Sequence, residues 1–158
     1  MLVAPGSSLG GARPKANVMH ADGSLWIAKF PSIKDRRDVG AWEAVCCDMA
    51  RKSGIKVSDF MTERFNDKYH TFLTKRFDRT AEGRRRQFTS AMTLLGYADG
   101  ERSEGASYLE IAEWIQRHCM NVDENLKELF RRIVFNIAVS NCDDHLRNHG
   151  FIYSPKGW

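Results

Sequence analysis

Hydrophobic and polar positions change their spacing halfway along this chain. In the first half, two β-prone runs at 16–20 and 25–30 flank the turn-forming pair Asp22-Gly23, which predicts an antiparallel hairpin. Apolar residues at helical spacing follow from 37 to 53, and Gly54 is suited to cap that helix at its C-terminus. Two further strands, joined by a turn at Asn66-Asp67, are predicted over the ranges 55–65 and 69–77.

The second half carries the spacing of amphipathic helices. Residues 108–119 and 126–139 repeat apolar side chains every three or four positions, which predicts two helices. The pattern predicts a short helix or loop over 88–95 and an exposed loop over 99–105. A β-rich region followed by a helical region predicts an α+β fold with the layout of a protein kinase, a β-rich lobe over 1–80 and a helical lobe over 81–158.

Composition narrows the class of protein. Of the 158 residues, 42% are apolar and 28% charged, which is ordinary for a globular protein, and no apolar run is long enough to span a bilayer. The four cysteines form no CxxC pair and no signal peptide is visible, which favours free thiols in a cytoplasmic protein. We expect no association with membranes.

The net charge of +4 is mildly basic. The run Arg84-Arg85-Arg86 is either a solvated loop or a contact for phosphate, nucleic acid or an acidic partner. Because the run lacks interleaved aromatic residues and a recognisable reading motif, direct nucleic-acid binding is not expected.

The densest cluster of polar residues follows the last predicted helix, in the loop from Asn141 to Phe151. Asp143 is followed five residues later by Asn148, which is the spacing of a phosphotransferase catalytic loop. In such a loop the acid accepts the proton of the substrate hydroxyl and the amide holds Mg²⁺. His145 could orient the loop or be purely structural. A helix-terminal turn and a zinc site are the alternatives for this cluster.

Lys29 lies in the apolar strand from Trp26 to Phe30, so its ammonium group must meet an anion or reach water. In kinases the anion is a nucleotide phosphate, and a glutamate of the next helix holds the lysine. Glu43 is the candidate partner, although the same helix region also carries Asp38 and Asp48. An exposed strand position is the alternative for Lys29.

The segment 7–15 precedes the lysine strand, is rich in small residues and contains Gly10 and Gly11. Small residues let backbone N–H groups approach phosphates. The segment matches neither the P-loop pattern nor the Rossmann pattern, and an ordinary surface loop is the alternative. Its place before the hairpin is the order that a phosphate-covering loop requires.

Together these segments resemble the HipA family of bacterial serine/threonine kinase toxins, in the region called the HipA C-terminal domain. Three blocks of sequence carry the resemblance: the glycine-rich loop, the lysine strand with a later Lys-Arg-Phe-Asp run, and the loop around Asp143. They cover nearly the whole chain, at 6–16, at 26–30 with 74–79, and at 141–151.

The resemblance implies ATP and Mg²⁺ as cofactors. Lys29, held by Glu43, would pair with the ATP phosphates under the loop that contains Gly10 and Gly11. Backbone groups of a hinge segment would meet the adenine, and the last residue of that segment would reach the ribose; the segment is Arg76-Phe77-Asp78.

For catalysis, the resemblance implies Asp143 as the base and Asn148 as a Mg²⁺ ligand. Two more residues of this loop would line the site, His145 and Arg147. Ser8 matches the loop serine that the family autophosphorylates, and Ser7 beside it is a second candidate. A phosphate on this loop would repel the phosphates of ATP and switch the kinase off.

The chain departs from the family pattern at both ends. The family has a subdomain before the glycine-rich loop and a second metal-binding aspartate after the catalytic loop, and neither has a counterpart here. We therefore expect a fragment, a truncated gene product or one half of a split protein. Because Mg²⁺ demands near-octahedral oxygen ligation, we expect weak nucleotide binding and little turnover by the chain alone.

The resemblance implies an aminoacyl-tRNA synthetase as substrate and a DNA-binding antitoxin of HipB type as partner. The alternative is a non-catalytic kinase remnant that binds an antitoxin or another protein. A small-molecule kinase of the aminoglycoside-phosphotransferase type shares the Asp-to-Asn spacing, but a serine at position 8 in a matching loop argues against it.

Overall fold

A computed structural model of the chain describes residues 3–4, 13–65, 68–98 and 106–158. The chain divides into two compact units, Met1–Arg84 and Arg85–Trp158, which we call the N-terminal unit and the C-terminal unit. Within the described ranges, no helix combines the length and the apolar character that crossing a bilayer requires.

The N-terminal unit is built on an antiparallel sheet, whose five strands in the described residues are ordered β1-β2-β3-β5-β4. Their bounds are β1 Val3–Ala4, β2 Lys15–Met19, β3 Leu25–Lys29, β4 Phe60–Glu63 and β5 Thr71–Lys75. The β2–β3 hairpin is the predicted one. Its loop is closed by Asp22, whose carboxylate accepts a 2.8 Å hydrogen bond from the N–H of Ser24, and by Gly23 at φ 80°. The core of the sheet is formed by Val18, Trp26, Ala28 and Leu73.

Helix α1, Val39–Lys52, packs on β4 and β5. Its N-cap Asp38 accepts hydrogen bonds from the N–H of Ala41 at 3.1 Å and, at the start of β5, from the N–H of His70 at 3.0 Å. Asp38 also lies 2.6 Å from Nδ1 of His70. Gly40 permits this close packing, because a Cβ there would lie 2.1 Å from the carbonyl oxygen of His70.

The Asp38 carboxyl is held in its charged form by these contacts. Burial acts to raise the pKa of Asp38, but the hydrogen bonds from His70 and Ala41 outweigh burial and hold the pKa below its ordinary value. The cap therefore joins the first turn of α1 to the sheet by an ionic hydrogen bond as well as by apolar packing.

The C-terminal unit combines helices with a small sheet. In the described residues its helices are α2 Ala91–Leu94, α3 Tyr108–His118 and α4 Val122–Ala138, and its paired antiparallel strands are β6 Gln87–Ser90 and β7 Gly150–Tyr153. Helix α3 packs on α4. One core of buried side chains includes Leu146 of the loop between α4 and β7, so that loop is fixed to the helices; its members are Ala91, Ile111, Ile115, Leu129 and Leu146.

The three long helices confirm the predicted ones, and Gly54 follows the end of α1 at φ 78°. Helix α4 begins at Val122, four residues before the predicted start. The pattern predicts a short helix or loop over 88–95, whereas Gln87–Ser90 is a strand and only Ala91–Leu94 is helical. The strand predicted over 55–65 is shorter in the structure, where β4 spans Phe60–Glu63. Two predicted loops lie outside the described residues, at Asn66-Asp67 and at 99–105.

Candidate functional site

In the N-terminal unit, the structure brings Lys29 and Glu43 together. Lys29 is the last residue of β3, Glu43 lies on α1, and the lysine Nζ donates a hydrogen bond to Glu43 Oε1. The ammonium group also lies 5.4 Å from the ring centre of the buried Phe72, its neighbour on β5. Both charged side chains remain partly open to solvent, at 32% and 27% exposed. The other two acids considered for Lys29 bind elsewhere: Asp38 caps α1, and Asp48 pairs with Lys52.

The strand register places a second cation next to this pair. Lys15, at the start of β2, lies directly opposite Lys29 in the β2–β3 hairpin. Directly opposed residues of an antiparallel pair project from the same face, where like charges are unfavourable. This end of the hairpin therefore carries two lysines, of which Lys29 is paired with Glu43.

The segment predicted as a hinge is held by ion pairs. Arg76 donates to both carboxylate oxygens of Asp78, at 2.7 and 2.5 Å, and Arg79 donates to Asp78 at 2.7 Å. Arg76 also donates to the side-chain oxygen of the buried Asn17 on β2 at 2.9 Å. The Arg76 hydrogen bonds hold the pKa of Asp78 below its ordinary value against the opposing effect of burial. Between the two paired residues, Phe77 is 51% exposed.

In the C-terminal unit, the loop after α4 brings the predicted base and metal ligand into one turn. The side-chain amide of Asn148 donates to the backbone oxygen of Asp143 at 2.8 Å, and its backbone N–H donates to the backbone carbonyl oxygen of His145 at 2.8 Å. The Asp143 carboxylate is 94% exposed, and Nε2 of His145 lies 3.9 Å from it. Arg147 is an exposed residue of the same turn.

Sequence reasoning missed a buried polar group next to these residues. The carboxylate of Asp144 is 8% exposed and accepts hydrogen bonds from the Tyr108 hydroxyl at 2.6 Å and the Asn136 amide at 2.7 Å. His149, 9% exposed, places Nε2 3.0 Å from both Asp144 oxygens. One sequence signal was available: Asn136 follows the buried Leu129 by seven residues, which puts an amide on the core face of α4.

These contacts change the acid–base properties of the group. The Asp144 hydrogen bond raises the pKa of Tyr108 to about 12. Burial acts to raise the pKa of Asp144, but the hydrogen bonds from Tyr108 and His149 and the charge of the histidine hold it below its ordinary value. The carboxylate is therefore charged and the phenol neutral at neutral pH, so Asp144 is an acceptor with fixed donors around it.

Four predicted site residues lie outside the described residues. They belong to the glycine-rich loop and are Ser7, Ser8, Gly10 and Gly11. All four cysteines are free, as predicted, and among the described residues no three His, Cys, Asp or Glu side chains are grouped as a metal site.

The fold of the chain is that of known kinases. A structure from Shewanella oneidensis, of HipA with HipB and its operator DNA, matches with a TM-score of 0.75 at 21% identity, over 97% of this chain and 42% of that chain. The Helicobacter pylori proinflammatory kinase CtkA matches with a TM-score of 0.72 at 18% identity, over 99% of this chain and 53% of that chain. These matches confirm the predicted fold class.

The family follows from the sequence comparisons. The sequence model of the family called the HipA-like C-terminal domain matches residues 7–158, so the chain belongs to that family. The serine/threonine-protein kinase toxin HipA of Shewanella oneidensis is 22% identical over 178 aligned positions, which cover 97% of this chain and 41% of that protein. A candidate kinase of Haemophilus influenzae is 35% identical over 97 residues, which cover 58% of this chain and 28% of that protein. The chain thus spans less than half the length of these relatives.

Proposed function

We propose that the chain is the nucleotide-binding and catalytic-loop portion of a serine/threonine protein kinase that transfers the γ-phosphoryl group of ATP to a protein hydroxyl. The observation that carries the proposal is the ion pair between Lys29 and Glu43, which joins the strand and the helix of the N-terminal unit. Protein kinases require such a Lys–Glu pair to hold the lysine against the phosphates. The opposed Lys15 adds positive charge at the same end of the hairpin.

The loop of the C-terminal unit supports the catalytic part of the proposal. Asp143 would accept the proton of the attacking hydroxyl, and its exposure leaves the carboxylate accessible to a substrate. Asn148 uses its amide nitrogen on the backbone of Asp143, so its side-chain oxygen is the atom that a hard cation would take. His145 and Arg147 would line the substrate side of the same turn.

Mg²⁺ fits this donor set because the ion prefers oxygen ligands and keeps several waters and phosphate oxygens in its shell. When bound, Mg²⁺ would neutralise charge on the transferred phosphate.

The remaining roles are extensions of the same proposal. The backbone at Arg76-Phe77-Asp78 would receive the adenine, and the ion pairs of Arg76 would keep this segment in place. Gly10 and Gly11 would let the loop cover the phosphates, and Ser8, or Ser7 beside it, would be the autophosphorylated residue. We also propose Asp78 as the residue that reaches the ribose, which would require it to exchange one of its arginine contacts.

For partners, we propose a DNA-binding antitoxin and a protein substrate. The support for the antitoxin is the solved HipA structure, which contains HipB and operator DNA. An aminoacyl-tRNA synthetase is the substrate class that the family suggests.

Nucleotide binding is the first test, because it examines the carrying observation directly. Titration of the chain with a fluorescent ATP analogue and Mg²⁺ is expected to give saturable binding that Lys29→Met weakens at least about tenfold, the effect of losing one charge-assisted contact. Lys75→Met is the matched control, since Lys75 is also the last residue of a strand and lies 3.9 Å from a carboxylate of Asp59. Equal effects of the two substitutions would contradict the proposed site.

Phosphate transfer is the second test. The intact mass of the chain is measured after long incubation with Mg-ATP, because turnover by the chain alone is expected to be low. A gain of one phosphate on Ser7 or Ser8, abolished by Asp143→Asn, would support the proposal. A chain that binds no nucleotide at millimolar concentration, yet binds an antitoxin, would instead be a non-catalytic binding module. A phosphorylated chain whose gain survives Asp143→Asn would exclude Asp143 as the base.

A further inference from the structure

Two adjacent acids in the loop after α4 have opposite environments. The side chain of Asp143 is 94% exposed, whereas that of Asp144 is 8% exposed. A buried carboxylate is unfavourable unless hydrogen bonds or opposite charges compensate for the lost water. Asp144 has such compensation from Tyr108, Asn136 and His149, at 2.6 to 3.0 Å.

The donors to Asp144 come from different parts of the C-terminal unit. Tyr108 is the first residue of α3, Asn136 lies in the last turn of α4, and His149 directly precedes β7. Asn136 also accepts a 3.2 Å hydrogen bond from the side chain of Asn141, at the start of the loop. The carboxylate therefore ties the loop to both long helices at once.

Backbone contacts hold the same loop from its other side. The N–H of Ala91 donates to the carbonyl of His149 at 2.8 Å, and the N–H of Met92 donates to that of Leu146 at 3.2 Å. The Leu146 side chain is buried in the core of the unit. Asp143 and Asn148, which belong to the same loop, are exposed to solvent.

We propose that Asp144 is the positioning residue of this loop: its buried carboxylate, gripped by Tyr108, Asn136 and His149, fixes the backbone that presents Asp143 and Asn148. Asp144 itself would touch neither substrate nor metal. Because the proton acceptor and the metal ligand must be held within fractions of an ångström, a fixed backbone is what this chemistry needs. The catalytic consequence rests on the function proposed above, whereas the order of the loop does not.

The test compares two tyrosines that make the same bond. Tyr108 donates to Asp144 at 2.6 Å, and Tyr97 donates to Glu110 at 2.6 Å at the N-terminal turn of α3, so Tyr97→Phe is the matched control for Tyr108→Phe. Amide hydrogen exchange is measured residue by residue, without nucleotide. We expect Tyr108→Phe to accelerate exchange of the Asp143 and Asn148 amides about tenfold, as expected for one lost bond to a charged group.

A merely structural contribution would give a different pattern. If Asp144 only stabilised the whole unit, the loop amides would accelerate no more than the slowest amides of α4, and Tyr97→Phe would produce the same pattern. Either result would overturn the proposal. Asp144→Asn keeps a side-chain oxygen as acceptor, so it is expected to retain most of the loop protection. Tyr108→Phe removes one donor and is expected to lose part of the protection, whereas Asp144→Ala removes the acceptor and is expected to lose all of it.

Phosphate transfer adds a separate readout. In a chain that transfers phosphate, Tyr108→Phe is expected to lower kcat and leave the dissociation constant of the nucleotide unchanged, whereas Tyr97→Phe changes neither. A chain that transfers no phosphate but shows the selective loop exchange would remove the proposed function and keep the positioning role. Unchanged loop exchange in Tyr108→Phe and Asp144→Ala, with transfer intact, would remove the positioning role and keep the function.

Discussion

The two units hold their candidate functional residues in different ways. In the N-terminal unit, the side chains Lys29 and Glu43 contact each other directly and remain partly exposed. In the C-terminal unit, Asp143 is almost fully exposed, and the buried neighbour Asp144 carries the contacts. The first arrangement orients a side chain by its own ion pair, and the second holds the loop through a neighbouring residue and leaves the Asp143 side chain exposed to solvent. Under the proposed function, a lysine that binds a phosphate needs the first arrangement, and a base that must reach a substrate needs the second.

Replacing the two adjacent acids separately should give the largest contrast. Asp144→Ala leaves the half-buried donors of Tyr108 and Asn136 without their acceptor, and we expect it to lower the free energy of unfolding by about 2–3 kcal/mol. Asp143→Ala should leave that free energy nearly unchanged, because the side chain is exposed. Urea denaturation of both variants measures the difference. Similar values for the two variants would contradict the division between a buried anchor and an exposed acid.

Gly40 tests whether the Lys29–Glu43 pair depends on how closely α1 approaches the sheet. A Cβ at this position would meet the His70 carbonyl oxygen at 2.1 Å, so Gly40→Ala must displace the helix. We expect a loss of about 1–3 kcal/mol in the free energy of unfolding from overpacking, although alanine favours the helix by up to about 1 kcal/mol. Nucleotide affinity should fall with it, since Glu43 moves with α1. A gain in stability from Gly40→Ala would show that the helix does not pack as described.

Sequence patterns predicted the parts of the fold that depend on local spacing. The β2–β3 hairpin and the three long helices follow from apolar periodicity, from Asp22-Gly23 and from Gly54. Strand β6 could not be predicted in this way, because its partner β7 lies about sixty residues later. Gly150 leaves room for the ring of Phe88 on the partner strand, since a Cβ there would lie 2.3 Å from that ring. A contact between two distant residues leaves no periodic pattern in either segment.

The candidate site likewise has a part that local sequence patterns predict and a part that depends on contacts between distant residues. Lys29 and Glu43 could be proposed from their places in a strand and the next helix, and the structure brings them together. The adjacent acids Asp143 and Asp144 are the same residue type, and the positions of Tyr108, Asn136 and His149 decide which of them is enclosed. Those side chains come from α3, α4 and the residue before β7, so the assignment requires tertiary structure.

The cap of α1 should make the stability of the N-terminal unit depend on acid pH. Asp38 has a pKa below its ordinary value of 3.8 in the folded chain, so the unfolded state binds the proton first as the pH falls. The stabilisation is therefore complete above the ordinary pKa and is lost as the pH falls from there through the folded pKa. Asp38→Asn retains an oxygen that can cap Ala41, so it should flatten this part of the pH profile without removing the cap. Thermal melts of both proteins between about pH 5 and about pH 2, a range that includes the ordinary pKa of aspartate, measure how the melting temperature changes with pH. Parallel profiles for the two proteins would exclude Asp38 as the source.

The smallest expected effect on stability belongs to the Lys29–Glu43 pair, and its smallness is informative. Ion pairs this open to solvent contribute at most about 1 kcal/mol, because water screens the charges and ordering two long side chains costs entropy. A double-mutant cycle of Lys29→Met and Glu43→Gln, followed by urea denaturation, is therefore expected to give a coupling energy below about 1 kcal/mol.

In the same cycle, nucleotide affinity is expected to show a large coupling between the two residues. Glu43→Gln is expected to weaken binding because the lysine loses the partner that orients it, and the double variant should bind no worse than Lys29→Met alone, since the glutamate acts through the lysine. If the coupling in stability is large and the coupling in affinity absent, the pair is an element of the fold like the Asp144 group, and the distinction between the two units disappears. If the pair contributes little to stability and strongly to affinity, the glutamate is held beside the lysine to orient it for the anion that the lysine binds.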